Sequence, residues 1–169
     1  CVAELIKRFG LAAVVDPVMI AKGGAPLLRE EAMAAVREKL LPSTFLLTPN
    51  LPEAEALTGM SIGTLAEMAA AGHRLCEMGV RHVLIKGGHR DDGDATDLLV
   101  SGGTVHPLPG ERIATSSTHG TGCSYAAALA TLLAQGDTLP IAAQRAKRFI
   151  DAAIRNAVPL GKGHGPINH

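Results

Sequence analysis

The sequence predicts an α/β fold: a mostly parallel sheet covered by helices on both faces, with an antiparallel hairpin added to it. Three observations predict it. Short apolar runs at residues 11–15, 45–48 and 82–85 alternate with stretches of helical spacing. Each run stops abruptly at a polar residue beside proline or glycine, namely Asp16-Pro17, Pro49-Asn50 and Lys86-Gly87. Residues 95–100 and 104–108 flank Ser101-Gly102-Gly103, which is the spacing of a hairpin.

The elements follow in order. Residues 2–8 have helical spacing and stop at Gly10, ahead of the first strand. After the turn Lys22-Gly23-Gly24, a charged amphipathic helix is predicted over 28–41. The second strand leads into a helix over 52–57 with Pro52 in its first turn. A further helix spans 65–78 and is capped by Gly79, before the third strand. Polar residues 89–94 form a loop, and the hairpin follows. The glycine-punctuated stretch Thr115 to Gly122 then runs into an alanine- and leucine-rich helix that ends at Gly136. A long last helix covers 139–158, with a tail rich in Gly, His and Pro. Internal repeats and low-complexity linkers are absent from the sequence.

With 169 residues, one domain spanning 1–169 and one core are expected. Lys plus Arg and Asp plus Glu balance at 16 each, so no global field favours nucleic acid or an anionic membrane. One Tyr, three Phe and no Trp are too few aromatics for a base-stacking surface. No apolar run reaches the ~18 residues of a membrane-spanning helix. Cys1, Cys76 and Cys123 are odd in number and far apart, which argues against disulfide or zinc frameworks and makes a reducing cytoplasm the default. Because residues 2–10 read as the end of a helix, the chain is expected to begin inside a domain.

Ligands of open α/β sheets bind at the carboxyl ends of the strands. Those ends carry Asp16, then Asn50 with Glu53 three residues on, then Lys86. Gly120-Thr121-Gly122 opens a helix whose first amides lack intrahelical carbonyl partners and favour anions. Cys123 lies in that first turn, at the positive end of the helix dipole. The collection suits a nucleotide phosphate with Mg²⁺: lysine and helix tip on phosphate oxygens, carboxylates acting on a hard cation. Each piece also has a plainer reading. Asp16-Pro17 serves as a turn, Asn50 as a helix cap, Lys86-Gly87-Gly88 as a loop, and the GTGC stretch as a tight turn before a core helix. His119, four residues ahead of Cys123, leaves a cysteine hydrolase open as well. The chain contains neither a Walker loop nor a GxGxxG motif.

Five separated segments, DPVMIAKGG from Asp16, TPNLPEAEALTG from Thr48, IKGGH from Ile85, THGTGCSYAAALA from Thr118 and the terminal GKGHGPINH, resemble the hydroxymethylpyrimidine/phosphomethylpyrimidine kinases of thiamine biosynthesis. They lie in that family's order and span nearly the whole chain. The resemblance implies a three-layer ribokinase-like fold and ATP-dependent phosphorylation of 4-amino-5-hydroxymethyl-2-methylpyrimidine and its monophosphate, with Mg²⁺. It implies that Gly120, Thr121 and Gly122 form the anion hole and that Cys123 stands where most of the superfamily has a catalytic aspartate. It implies that Asn50 and Glu53 are a Mg²⁺-linked pair, that Lys86 and Lys147 neutralise phosphate, and that Asp16 is a metal-binding or hydroxyl-polarising carboxylate.

The implied partner is a small pyrimidine alcohol, and a homodimer is allowed; nucleic acid and membrane are not implied. Ser117, Gly24 and Tyr125 depart from the family pattern, and the bulk of Tyr125 bears on substrate fit. The resemblance also implies a further N-terminal segment that supplies much of the pyrimidine pocket, so this nucleotide-side portion is expected to have little kinase activity alone. A pyridoxal-type kinase of the same superfamily and a non-catalytic nucleotide-binding fragment are the rival readings.

Overall fold

The structure, a computed structural model, describes residues 2–19, 27–88, 94–160 and 163–168. The turn Lys22-Gly23-Gly24, most of the loop 89–94, and Cys1, Gly161, Lys162 and His169 lie outside the described residues.

Helix α1, Val2–Phe9, ends at Gly10, which adopts a positive φ of 61°. Strand β1 is only Val14–Val15 and β2 only Leu46–Leu47, both shorter than predicted. Their pairing nonetheless extends past these limits: Ala13 O accepts from the Phe45 and Leu46 amides, and Val15 O accepts from Thr48 N at 2.9 Å. Strand β3, His82–Ile85, has the predicted bounds. Strands β4, Asp97–Ser101, and β5, Thr104–Leu108, form the hairpin. Gly102 and Gly103 turn it with φ of 56° and 78°, the left-handed pair that a tight two-residue connection requires. The sheet order is β1-β2-β3-β4-β5; the first two pairings are parallel and the last two antiparallel.

The predicted helix over 28–41 is broken into three parts. Helix α2 covers Glu30–Ala35, a wide π turn covers Val36–Leu40, and a 3₁₀ turn covers Leu41–Ser43. Pro42 explains the break, because it has no amide for the helical ladder and its ring crowds the carbonyl four residues back. The side chains of Ser43 and Thr44 donate to the freed Leu40 carbonyl at 2.8 and 2.9 Å. Helices α3, Leu51–Thr58, and α4, Leu65–Glu77, each begin with a reciprocal capping box, Asn50 with Glu53 and Thr64 with Glu67. Helix α5 is Thr121–Ala134. Helix α6, Leu139–Arg155, ends earlier than predicted, with Asn156 Nδ2 turned back onto Ala152 O at 2.9 Å.

Alternation along the strands sends neighbouring side chains to opposite faces. Val83, Ile85 and Leu98 pack with α3 and α4 residues such as Leu57, Met68 and Leu75. Leu84 and Leu99 pack on the other face with Leu129, Ala143, Ala146 and Ile150 of α5 and α6. Three layers result. The tail is tied in too: the His119 amide donates to Gly165 O at 2.9 Å, Ile167 N donates to His119 O at 3.2 Å, and Ile167 is buried against α6.

Candidate active site

Asp16 directly follows β1 and Lys86 directly follows β3, so both leave the sheet at its carboxyl edge. Their side chains form an ion pair of 2.7 Å, with only 14% of Lys86 and 12% of Asp16 exposed. Thr48, at the end of β2, donates its hydroxyl to the same Asp16 oxygen at 3.3 Å. Asn50 lies alongside as a bridge partner of Lys86, whose amide donates to Pro49 O at 2.9 Å.

The amino end of α5 rests on this pair. A Cβ placed on Gly122 would lie 2.9 Å from Asp16 Oδ2 and 3.2 Å from Lys86 Nζ. Gly120, at φ 87°, provides the left-handed turn into the helix, a conformation that a side chain would strain. The first bond of the α5 ladder is Ser124 N to Gly120 O at 2.9 Å, so the Gly122 and Cys123 amides precede it. Thr121 turns its hydroxyl back onto Thr118 O at 2.8 Å. Cys123 is a free, exposed thiol next to these amides. The Asp16–Lys86 pair and the helix-tip amides thus meet at the amino end of α5, with Cys123 in its first turn, an arrangement able to take a phosphoryl group.

Asn50 and Glu53 reach the same edge, but their polar atoms are engaged within the protein. Asn50 Oδ1 accepts from Glu53 N at 2.9 Å. Glu53, nearly fully buried, accepts from Asn50 N at 2.8 Å and from Met19 N at 3.3 Å. Among the described residues no three His, Cys, Asp or Glu side chains are grouped so as to enclose a metal. The set Asp16, Asn50 and Glu53 is therefore not a ready chelate, because the capping box uses the atoms that would bind. A Mg²⁺ ion that keeps most of its water needs only one or two carboxylates, and Asp16 retains for that smaller role its Oδ2, which faces Gly122 while Oδ1 takes Lys86 and Thr48.

Lys147 is placed differently from expectation. Its ammonium is buried in a second cluster, 2.9 Å from Ala95 O, 3.2 Å from Asp97 Oδ2 and 3.4 Å from Asp151 Oδ1. Tyr125 points into the same cluster: it is 2% exposed and donates to Asp97 Oδ2 at 3.0 Å. Its bulk is accordingly absorbed by the core. Asp97 was not among the residues read from the sequence. Its one signal is a carboxylate heading the apolar run Leu98-Leu99-Val100 of β4. Ser117 is also buried, and its hydroxyl has no hydrogen-bond partner among the described residues; a Cβ on Gly165 would lie 2.7 Å from it.

A family model described as phosphomethylpyrimidine kinase matches residues 1–168. The chain belongs to that family. This phosphomethylpyrimidine kinase family member is 47% identical over 170 residues to the hydroxymethylpyrimidine/phosphomethylpyrimidine kinase of Bacillus subtilis, covering 99% of this chain and 63% of that protein. It is 54% identical over 156 residues to a thiamine biosynthesis bifunctional protein of Geobacter sulfurreducens, covering 92% of this chain and 32% of that one. Among solved structures, the Bacillus subtilis pyridoxal kinase in its ADP complex superposes with a TM-score of 0.89 at 37% identity, over 99% of this chain and 63% of that chain. The Staphylococcus aureus pyridoxal kinase in complex with AMP-PCP and pyridoxal superposes with a TM-score of 0.86 at 34% identity, over 99% and 63%. The family member thus has the ribokinase-like fold of these kinases and spans less than two thirds of their length.

Proposed function

We propose that this chain carries the nucleotide side of an ATP-dependent kinase acting on 4-amino-5-hydroxymethyl-2-methylpyrimidine and on its monophosphate. The observation that carries the reading is the Asp16–Lys86 pair lying directly beneath Gly122 at the tip of α5. Phosphoryl transfer passes through a loose transition state, so catalysis rests on placement and charge neutralisation more than on a strong base. Lys86 supplies the positive charge for the oxygens of the transferring group. The Gly122 and Cys123 amides and the dipole of α5 receive charge as it develops. Gly120 and Thr121 hold the turn that aims those amides.

Asp16 keeps Lys86 oriented through a bond of 2.7 Å. Cys123 either positions the attacking hydroxymethyl group or, as a thiolate, accepts its proton late in the transfer. Mg²⁺, when bound, would offset charge on the phosphates; Asp16 would hold it through water, with Asn50 and Glu53 fixing the backbone alongside. Lys147, whose ammonium already faces two carboxylates and a carbonyl, acts from behind this site.

Calorimetric titration of the chain with ATP and Mg²⁺ tests the proposal. Binding is expected, with Lys86→Met weakening it at least about tenfold, the equivalent of one charge-assisted contact. Turnover of the pyrimidine alcohol by this chain alone is expected to be low. Absence of ATP binding, or binding indifferent to Lys86, would overturn the reading.

A second acceptor is favoured by a specific observation. Pyridoxal kinases superpose over 99% of the chain, although curated sequence relatives are named for the pyrimidine. Phosphorylation rates measured with both alcohols separate the two.

A further inference from the structure

We propose that Asp97, braced by Tyr125 and Lys147, is a positioning residue that locks the Lys86-Gly87 turn to the amino end of α5. The proposal rests on the reading that Lys86 engages the phosphates of ATP. Asp97 is only 3% exposed at the head of β4, a place where a carboxylate is tolerated when its lone pairs are all met. Its partners come from three separate elements. Oδ1 accepts from the Gly87 amide at 2.8 Å. Oδ2 accepts from the Tyr125 hydroxyl on α5 at 3.0 Å and lies 3.2 Å from Lys147 Nζ on α6. Asp151 also faces this cluster, 3.4 Å from the same ammonium.

The peptide that Asp97 holds is the one joining Lys86 to Gly87. That turn has no slack: a Cβ on Gly87 would meet Thr96 O at 1.9 Å, so the backbone of β4's approach is pressed against it. Fixing this peptide fixes the direction in which the Lys86 side chain leaves the strand. The same carboxylate also holds α5, because Tyr125 is on the helix one turn beyond Thr121. Cation and helix tip are therefore referenced to one buried point, and their separation is set before any ligand arrives.

The chemistry of the brace is consistent. Burial pushes the Tyr125 hydroxyl well above its ordinary value, and Asp97 adds to this, so the hydroxyl remains a donor. Burial pushes the Asp97 carboxyl up as well, while Lys147, the Gly87 amide and Tyr125 pull it back.

Asp97→Asn, Tyr125→Phe, Lys86→Met and the double variant Lys86→Met/Asp97→Asn are compared by ATP calorimetry and by amide resonances in ¹H–¹⁵N spectra. Asp97→Asn is expected to weaken ATP about tenfold and Tyr125→Phe about threefold, with the double variant no weaker than Lys86→Met alone. The Gly87, Gly122 and Cys123 amide resonances are expected to move in both Asp97→Asn and Tyr125→Phe, while those of α4 stay in place. Equal losses from Asp97→Asn with and without Lys86 would show a merely structural residue and overturn the inference. Unmoved Gly87 and Gly122 resonances would overturn it also. Should Asp97→Asn fail to fold, Tyr125→Phe keeps the ring and deletes a single hydrogen bond, and its resonances decide. If Lys86→Met leaves ATP binding intact while the Gly87 and Gly122 resonances still move, the kinase reading falls and the brace stands.

Discussion

Gly122 occupies a position where Asp16 and Lys86 leave no room for a side chain. Its φ is not left-handed, so alanine there is compatible with the backbone and the whole effect comes from space. Gly122→Ala is expected to drive the Asp16–Lys86 pair away from the helix tip and weaken ATP binding about tenfold or more, while chemical denaturation shifts by less than about 1 kcal/mol. Near-normal binding would mean that the contact is not part of the site. Asp16 and Lys86 were legible in the sequence because each is the first polar residue after an apolar strand, where α/β sheets place their ligands. Asp97 was not legible. Its partners Gly87, Tyr125 and Lys147 are 10, 28 and more residues away in the chain, and no local pattern announces a carboxylate that three elements satisfy.

Helix caps give the clearest separation of stability from function at the level of single elements. Asn50→Ala removes the side-chain acceptor for Glu53 N and is expected to cost about 1 kcal/mol in urea unfolding, with or without Mg²⁺. If the loss in stability is absent but Mg²⁺-dependent ATP binding collapses, Asn50 is a ligand and not a cap. Strand β3 offers a second expectation. Burial, with Arg81 adding to it, lowers the His82 pKa, and Ser101 Oγ lies 2.9 Å from Nδ1.

A folded pKa below the ordinary value of about 6.5 means that the unfolded chain binds the extra proton first. The contribution is therefore present above about pH 6.5 and is lost as pH falls through the folded value. Thermal melts between pH 8 and 5 are expected to show a loss that His82→Gln removes. The hairpin was legible because paired glycines fix its turn, and β3 because its apolar run has clear stops. The π turn at Val36–Leu40 was not, since it depends on Pro42 downstream and on Arg37 Nη2 donating to Ala56 O, a contact across the fold.

Across the whole molecule, one sheet separates two apolar clusters, and β3 contributes to both. Leu84 is fully buried on the α5–α6 face, while its neighbours Val83 and Ile85 are buried on the other. Leu84→Ala is expected to cost about 2–5 kcal/mol and to keep a single unfolding transition, because the strand cannot loosen on one face alone. Two separate transitions by fluorescence-free probes such as circular dichroism and hydrogen exchange would show that the faces unfold independently. The three-layer arrangement itself was legible from the alternation of short apolar runs and helical stretches. The exact limits of β1 and β2 were not, since two-residue strands depend on what their neighbours offer.

The stitched tail carries a consequence for the turn into α5. Gly165 and Ile167 bond to both sides of His119, one residue before the turn into α5, and Asn168 N donates to Ala153 O at 3.0 Å. Any change that draws Gly165 or Ile167 out of place would therefore loosen the loop that aims the anion-binding amides.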